Sequence, residues 1–317
     1  MGAADAITKA YMRENAVFAD VFNYMIYAGR KVILPESLKE LDTTEIALPF
    51  GEDSKDEAVQ KYRDILKSAV VKQDGRVSYV LLGIENQTDI HYAMPVRNLI
   101  YDALQYGRQV SDISARHRKE AGNGHSRMEY LSGFYKEDRI TPVITLVVHF
   151  GADEWDGPLS IHEMMDMDDP EILRLVPDYR ISLIDPAKIQ PEDLTKFETS
   201  FREVIGYIKY SKDSEKLSAF LNENSRMWIE RNAAQVIKAI TKTPIEIPEG
   251  EEEINMCEAI EKMMSDSKDL GKVEGKEEGK LAAFAELVED GLLSIREAAA
   301  RMKMTEDEFR DAMKKRV

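Results

Sequence analysis

Apolar residues recur at helical spacing from the start of the chain. Val17, Phe18, Val21, Phe22, Met25 and Ile26 fall on one stripe, which predicts a helix over Ala3 to Ala28 with Gly29 as its stop. After it, Leu34-Pro35-Glu36 marks a helix start, Ile46 to Phe50 reads as a short strand, and Gly51 to Asp56 as a polar loop. The pattern then becomes strand-like. Tyr62 to Val71 and Val77 to Thr88 flank Gln73-Asp74-Gly75-Arg76, and Asp-Gly is a strong tight-hairpin signal. Pro95 suits the first turn of a second helix that runs to about Arg116. Val96, Leu99, Ile100, Ala103 and Leu104 are its predicted core face. Arg97, Tyr101, Gln105 and Arg108 form a polar stripe, either solvated or lining a cleft. Gly122-Asn123-Gly124 marks a loop, and Ile140 to Phe150 is apolar enough for a strand buried on both faces. Tyr179 to Ile184 is a shorter strand, with Trp155-Asp156-Gly157-Pro158 turning between the two, and Pro191 to Thr241 is helical.

The hairpin has a chemical consequence. If Asp74-Gly75 is a two-residue loop, Gln73 pairs with Arg76, and counting outward sets Asp64 opposite Glu85. Directly opposed residues share a face, with Cβ atoms roughly 5 Å apart. Gln87, two residues further on, shares that face. Opposed like charges destabilise a sheet, and a divalent cation would resolve the conflict. A bulge or a one-residue slip would part the two acids, leaving them as solvated strand ends.

Toward the end of the chain, Pro244 to Glu253 reads as a linker of Pro, Gly and acids. Gly271-Lys272, Gly275-Lys276 and Gly279-Lys280 then recur every four residues. Such glycines suit either a close helix–helix seam or a poorly ordered charged helix or linker, and their cost of about 1 kcal/mol each against Ala favours the second. Ser294 with Glu297, and Thr305 with Glu308, are two capping boxes that start short helices. The second helix opens Glu306-Asp307-Glu308, which phosphates would repel, so the pair reads as an oligomerisation or partner module rather than a DNA reader. The expected division is a core over 1–190, a helical segment packed on it over 191–243, a linker with the Gly-Lys repeat over 244–280, and a small helical module over 281–317.

Composition narrows the class. The 317 residues can bury a large core, and no apolar run is long enough to span a membrane. The start of the chain does not read as a signal peptide, and one cysteine, Cys257, excludes an internal disulfide; both suit the cytoplasm. Five scattered histidines disfavour a His-based zinc site. A net charge of −16 disfavours broad attraction to nucleic acid, yet Arg108, Arg116, Arg118, Lys119 and Arg127 form a local basic stretch.

The order Asp64, Glu85-Asn86-Gln87, Pro95-to-Arg116 resembles the PD-(D/E)XK nuclease superfamily. It is nearest to the recombination-promoting nuclease (Rpn) and putative transposase family. Val17 to Asn23, Arg63 to Lys67, Leu82 to Thr88, Met94 to Arg97, Tyr101-Asp102, Thr141 to Ile144 and Trp155 to Pro158 carry the likeness. The resemblance implies an α/β restriction-endonuclease-like core, a central mixed sheet flanked by helices, with a C-terminal helical extension. It implies a DNA endonuclease in which Asp64, Glu85 and the Asn86 backbone carbonyl hold Mg²⁺ (or Mn²⁺ or Ca²⁺), joined by Asp20 or Glu14 from the first helix. Gln87 stands where the wider superfamily has lysine, and positions water through its amide. Arg97, Tyr101, Gln105, Arg108, Gln109, Arg116, Arg118, Lys119 and Arg127 are the expected DNA contacts, and the C-terminal region the expected site of homo-oligomerisation.

Overall fold

The structure is a computed structural model that describes residues 2–42, 44–47, 59–62, 64–73, 76–120, 126–223 and 227–314. The expected loop over 51–56, Leu48-Pro49-Phe50, the Asp74-Gly75 turn and Gly122-Asn123-Gly124 lie outside these residues. The chain forms two compact units, Met1–Met256 and Cys257–Val317.

The first unit opens with two helices, α1 (Ala3–Arg13) and α2 (Asn15–Tyr27), where one was expected. Glu14 between them is extended, at φ −62° and ψ 128°. No Pro or Gly dictates this break. Its cause is tertiary. Lys67 is buried from another element and donates its ammonium protons to the Arg13 carbonyl and to Asn15 Oδ1. It thereby satisfies a carbonyl that the helix end leaves orphaned.

Lys67 lies on β4 (Ile65–Gln73), in a five-stranded mixed sheet whose first member is β1 (Lys39–Glu40). A separate ribbon pairs β2 (Thr44–Ala47) with β3 (Val59–Tyr62). β4 pairs antiparallel with β5 (Arg76–Gln87), Gln73 opposite Arg76 and Ile65 opposite Ile84. The chain then runs through α3 (Met94–Glu120) and α4 (Arg127–Ser132) to β6 (Val143–His149), parallel to β5. A short helix α5 (Pro170–Leu173) precedes β7 (Ser182–Ile184), and the sheet order is β1-β4-β5-β6-β7. The fold is therefore an α/β core of the restriction-endonuclease kind. β6 is buried along nearly its whole length, as its apolar run requires.

α3 packs the opposite way round from the reading of its apolar stripe. Val96, Leu99 and Ala103 are exposed, while Asn98, Tyr101, Asp102 and Gln105 are buried. Asn98 is buried without a hydrogen-bond partner for its amide among the described residues, but Asp102, Tyr106 and Gln109 are partnered across the seam. The Thr145 and Tyr179 hydroxyls each donate to Asp102 at 2.6 Å. Gln109 exchanges two hydrogen bonds with the Thr141 backbone, and Tyr106 accepts from the Val143 N–H. Buried polar groups so satisfied cost little.

α6 (Phe201–Tyr210), α7 (Ser214–Glu223) and α8 (Arg231–Thr241) complete the unit. Phe197 and Phe201 pack edge-to-face at 5.2 Å, and Tyr11 hydrogen-bonds Ser200 across to α1. β8 (Trp228–Glu230) pairs with β9 (Glu253–Asn255), which ties the segment expected as a linker back onto the first unit.

From Met256 to Glu289 the backbone is one helix, α9, running straight through the Gly-Lys repeat. Of the helix and linker readings open for the repeat, the backbone takes the helix. Three glycines are outweighed by Lys, Glu, Ala and Leu, which are strong helix formers. α10 (Ile295–Met302) and α11 (Glu306–Lys314) follow, opened by the two expected capping boxes. Ala298, Ala299 and Phe309 form their core with Leu281, Phe284, Val288 and Leu293 around them.

Candidate active site

The hairpin register delivers the acid pair. Asp64 stands one residue before β4, and continuing the ladder past Ile65 and Ile84 sets it opposite Glu85. The two are knitted together through the backbone. The Asn86 N–H donates to Asp64 Oδ2 at 2.8 Å, and the Asp64 N–H donates to Glu85 Oε1 at 3.3 Å. Each acid also faces a cation. Lys9 from α1 lies 2.8 Å from Asp64 Oδ1, and Arg97 from α3 lies 2.9 Å from Glu85 Oε2. Glu85 is fully buried.

Gln87 turns back on its own strand, its Nε2 donating to the Asn86 carbonyl at 2.9 Å. The Asn86 side chain is buried with neither Oδ1 nor Nδ2 hydrogen-bonded among the described residues. The Gln87 carbonyl accepts from the Phe150 N–H at 2.8 Å, and His149 packs beside it, Nδ1 at 3.3 Å. A Cβ at Gly151 would meet the His149 ring at 2.4 Å, so only glycine lets the chain pass there.

Asp64, Asn86, Gln87 and Arg97 border a cleft of about 410 Å³, to which α1 contributes Asp5 and Lys9 and the β5–α3 loop Asp89 and His91. Arg97 bridges outward and inward, donating from Nε to the Tyr101 hydroxyl at 3.2 Å while it holds Glu85. Burial alone would lower the guanidinium pKa, but Glu85, Tyr101 and Asp64 together raise it above its ordinary value. Burial, reinforced by Glu85, holds the Tyr101 phenol above its usual range.

The structure thus assembles Asp64, Asn86, Gln87 and Arg97 at one cleft, with Glu85 buried against Asp64 and Arg97. It does not bring Asp20 or Glu14 there. Asp20 accepts from the Glu198 and Thr199 N–H groups and the Thr199 hydroxyl, and so caps a loop. Glu14 accepts from Asn232 of α8. Tyr101 and Gln105 are buried, and Gln109 is spent on Thr141. These three face the sheet because α3 buries its polar side. Arg108, Arg116, Arg118, Lys119 and Arg127 are exposed, on the far half of α3 and on α4. Lys9 was not foreseen. A lysine on an amphipathic helix has no local mark that it will meet an acid on β4.

Among the described residues no three His, Cys, Asp or Glu side chains gather into a metal-binding group. The donor chemistry of the pair still suits Mg²⁺, which takes one or two carboxylates and completes its shell with water and substrate phosphate. Two carboxylates and the Asn86 carbonyl fit that requirement.

No helix among the described residues is long and apolar enough to cross a membrane. No curated protein and no solved structure matches the chain. A family model does, over residues 6–235, from the middle of α1 to α8, spanning the sheet, the acid pair and the cleft. The chain belongs to the family described as "putative transposase, YhgA-like", within the PD-(D/E)XK and Rpn group.

Proposed function

We infer that this protein is a divalent-metal-dependent DNA endonuclease that hydrolyses phosphodiester bonds at the cleft beside Asp64 and Glu85. The observation that carries this reading is the opposition of those two carboxylates at the end of β4 and β5, bridged by Asn86. Asp64, Glu85 and the Asn86 carbonyl would hold Mg²⁺, or Mn²⁺ or Ca²⁺. Such an ion, when bound, polarises a phosphodiester oxygen and lowers the pKa of a water.

The chain's own groups account for the remaining work. Lys9 and Arg97 keep two positive charges at the acid pair, where phosphate charge must be offset. Gln87 cannot take up a proton, but its amide can orient water. The exposed cations of α3 and α4 provide phosphate contacts further along the DNA.

A second reading, a nuclease-fold DNA-binding protein without catalysis, has one observation in its favour. Lys9 and Arg97 already neutralise both acids. Plasmid incubated with Mg²⁺ or Mn²⁺ separates the two. The endonuclease reading expects nicking that is lost in both Asp64→Ala and Glu85→Ala, with calorimetric metal binding lost in parallel. Cleavage that survives in both variants refutes the assignment. Intact plasmid alongside tight DNA binding establishes the second reading.

A further inference from the structure

α4 holds three apolar side chains in solvent. Met128 is 80%, Tyr130 76% and Leu131 71% exposed. The helix itself is firmly seated. Ser126 and Glu129 form a capping box at its start. At its end Gly133 adopts φ +68°, and a Cβ there would fall 2.1 Å from Ser114 Oγ of α3. Tyr135 stacks on His117 at 3.7 Å, and Asp138 accepts from the Tyr135 N–H and binds the His117 ring. α4 is therefore a fixed knob against the last turns of α3, beside Arg116, Arg118 and Lys119.

Charge identifies what this knob meets. From Arg108 to Arg139 the sequence carries seven Arg and Lys against five Asp and Glu, in a chain of net charge −16. Two of those acids are committed locally. Glu129 accepts from the Ser126 and Lys136 N–H groups, and Asp138 serves His117 and Tyr135. Arg118, Lys119 and Arg127 form no ion pair among the described residues. A second copy docking here would set these cations against their own images, which like-charge repulsion opposes. A duplex offers phosphates to the cations and base steps to the apolar side chains. Cations flanking an apolar wedge are how architectural proteins unstack a step and kink DNA.

We propose that α4 is a DNA wedge: Arg116, Arg118, Lys119 and Arg127 grip phosphates while Met128, Tyr130 and Leu131 press into a base step. This rests on the nuclease reading for its DNA partner. It adds a second contact, remote from the acid pair. Arg97 to Arg118 spans about 32 Å of α3 at 1.5 Å per residue.

The test uses the full chain, metal-free, with a 30-base-pair duplex carrying 2-aminopurine at successive steps. Wild type should bind and raise 2-aminopurine emission severalfold at one step. The Met128→Ser/Tyr130→Ala/Leu131→Ser variant should bind about tenfold more weakly and give no emission rise. Its unfolding temperature should be unchanged, because the truncated side chains are exposed. Arg118→Gln/Lys119→Gln/Arg127→Gln should lose affinity and flatten the log–log salt slope by about 3. An apolar variant with wild-type affinity and emission refutes the wedge and leaves the nuclease reading intact. So does an apolar variant whose only change is a smaller mass in solution, or weaker sedimentation with phosphatidylserine vesicles. A wild-type protein that binds no duplex at all overturns the DNA reading itself.

Discussion

Glu85 is fully buried, and Arg97 meets its carboxylate at 2.9 Å. Removing one partner of such a pair leaves an uncompensated buried charge, which costs about 3–5 kcal/mol. Arg97→Ala should therefore unfold at a markedly lower temperature in EDTA. A divalent ion held by Glu85 would replace the lost charge, so millimolar Mg²⁺ should raise the variant's unfolding temperature more than the wild type's. Equal shifts in calorimetry would deny Glu85 a role in metal binding. At Lys9 the expectation differs, because its side chain is partly exposed and Asp64 keeps the Asn86 N–H. Lys9→Met should cost under about 1 kcal/mol of stability. It should still slow cleavage on the order of a hundredfold if the ammonium offsets phosphate charge, with metal affinity unchanged or tighter. Cleavage at the wild-type rate would reduce Lys9 to a surface partner of Asp64. The opposition of Asp64 and Glu85 was legible in the sequence because a two-residue Asp-Gly turn fixes the register, and the period of 2 carries it outward to the strand ends. Lys9 was not, because nothing local in α1 announces which strand it will meet.

At the scale of elements, α1 and α6 are joined by a buried hydrogen bond from which a pH dependence follows. Tyr11 and Ser200 meet at 2.9 Å. Burial holds the Tyr11 phenol well above its ordinary value of 10.0; the Ser200 bond pulls the other way, while Glu230, Glu14 and Glu203 push up. A group whose folded pKa is raised contributes stability that is complete below the unfolded value. That contribution drains away as pH rises from about 10 through the folded value. Urea unfolding between pH 8 and 11 should thus show stability falling steeply at the alkaline end. Tyr11→Phe should lose about 1 kcal/mol at pH 8 and show a shallower alkaline fall. Only part of the slope should vanish, since burial also raises Tyr24, Tyr207 and Tyr210. An unchanged slope in Tyr11→Phe would rule this linkage out. The elements also show where sequence patterning stops. The strands β4, β5 and β6 read directly from alternation and apolar runs. The break at Glu14 did not, because it depends on Lys67 from β4. α3 was read inside out, because periodicity ranks Leu99 above Gln105 for burial. Periodicity cannot see that Thr145, Tyr179 and Thr141 wait on the sheet side to satisfy polar groups.

For the molecule as a whole, the boundary between units at Met256 separates chemistry from the C-terminal helices. Every residue of the acid pair and cleft lies before it, as does the family match over 6–235. β9 ends at Asn255, and its ladder to β8 closes the first unit. A chain ending at Met256 should therefore unfold in one cooperative transition. Its metal-dependent cleavage per active site should stay within about threefold of the full chain if cutting needs one unit alone. The second unit has its own small core around Ala298, Ala299 and Phe309, and α11 opens with Glu306, Asp307 and Glu308. Those acids sit where a DNA-reading helix would approach phosphates, so its removal should not weaken duplex binding. Its removal should instead lower the mass measured by light scattering, which is the signature of an assembly module. Should the shortened chain keep the full chain's oligomer size and lose cleavage, the roles would be reversed. The C-terminal helices would then complete the active unit, and copies of the chain would associate through the first unit.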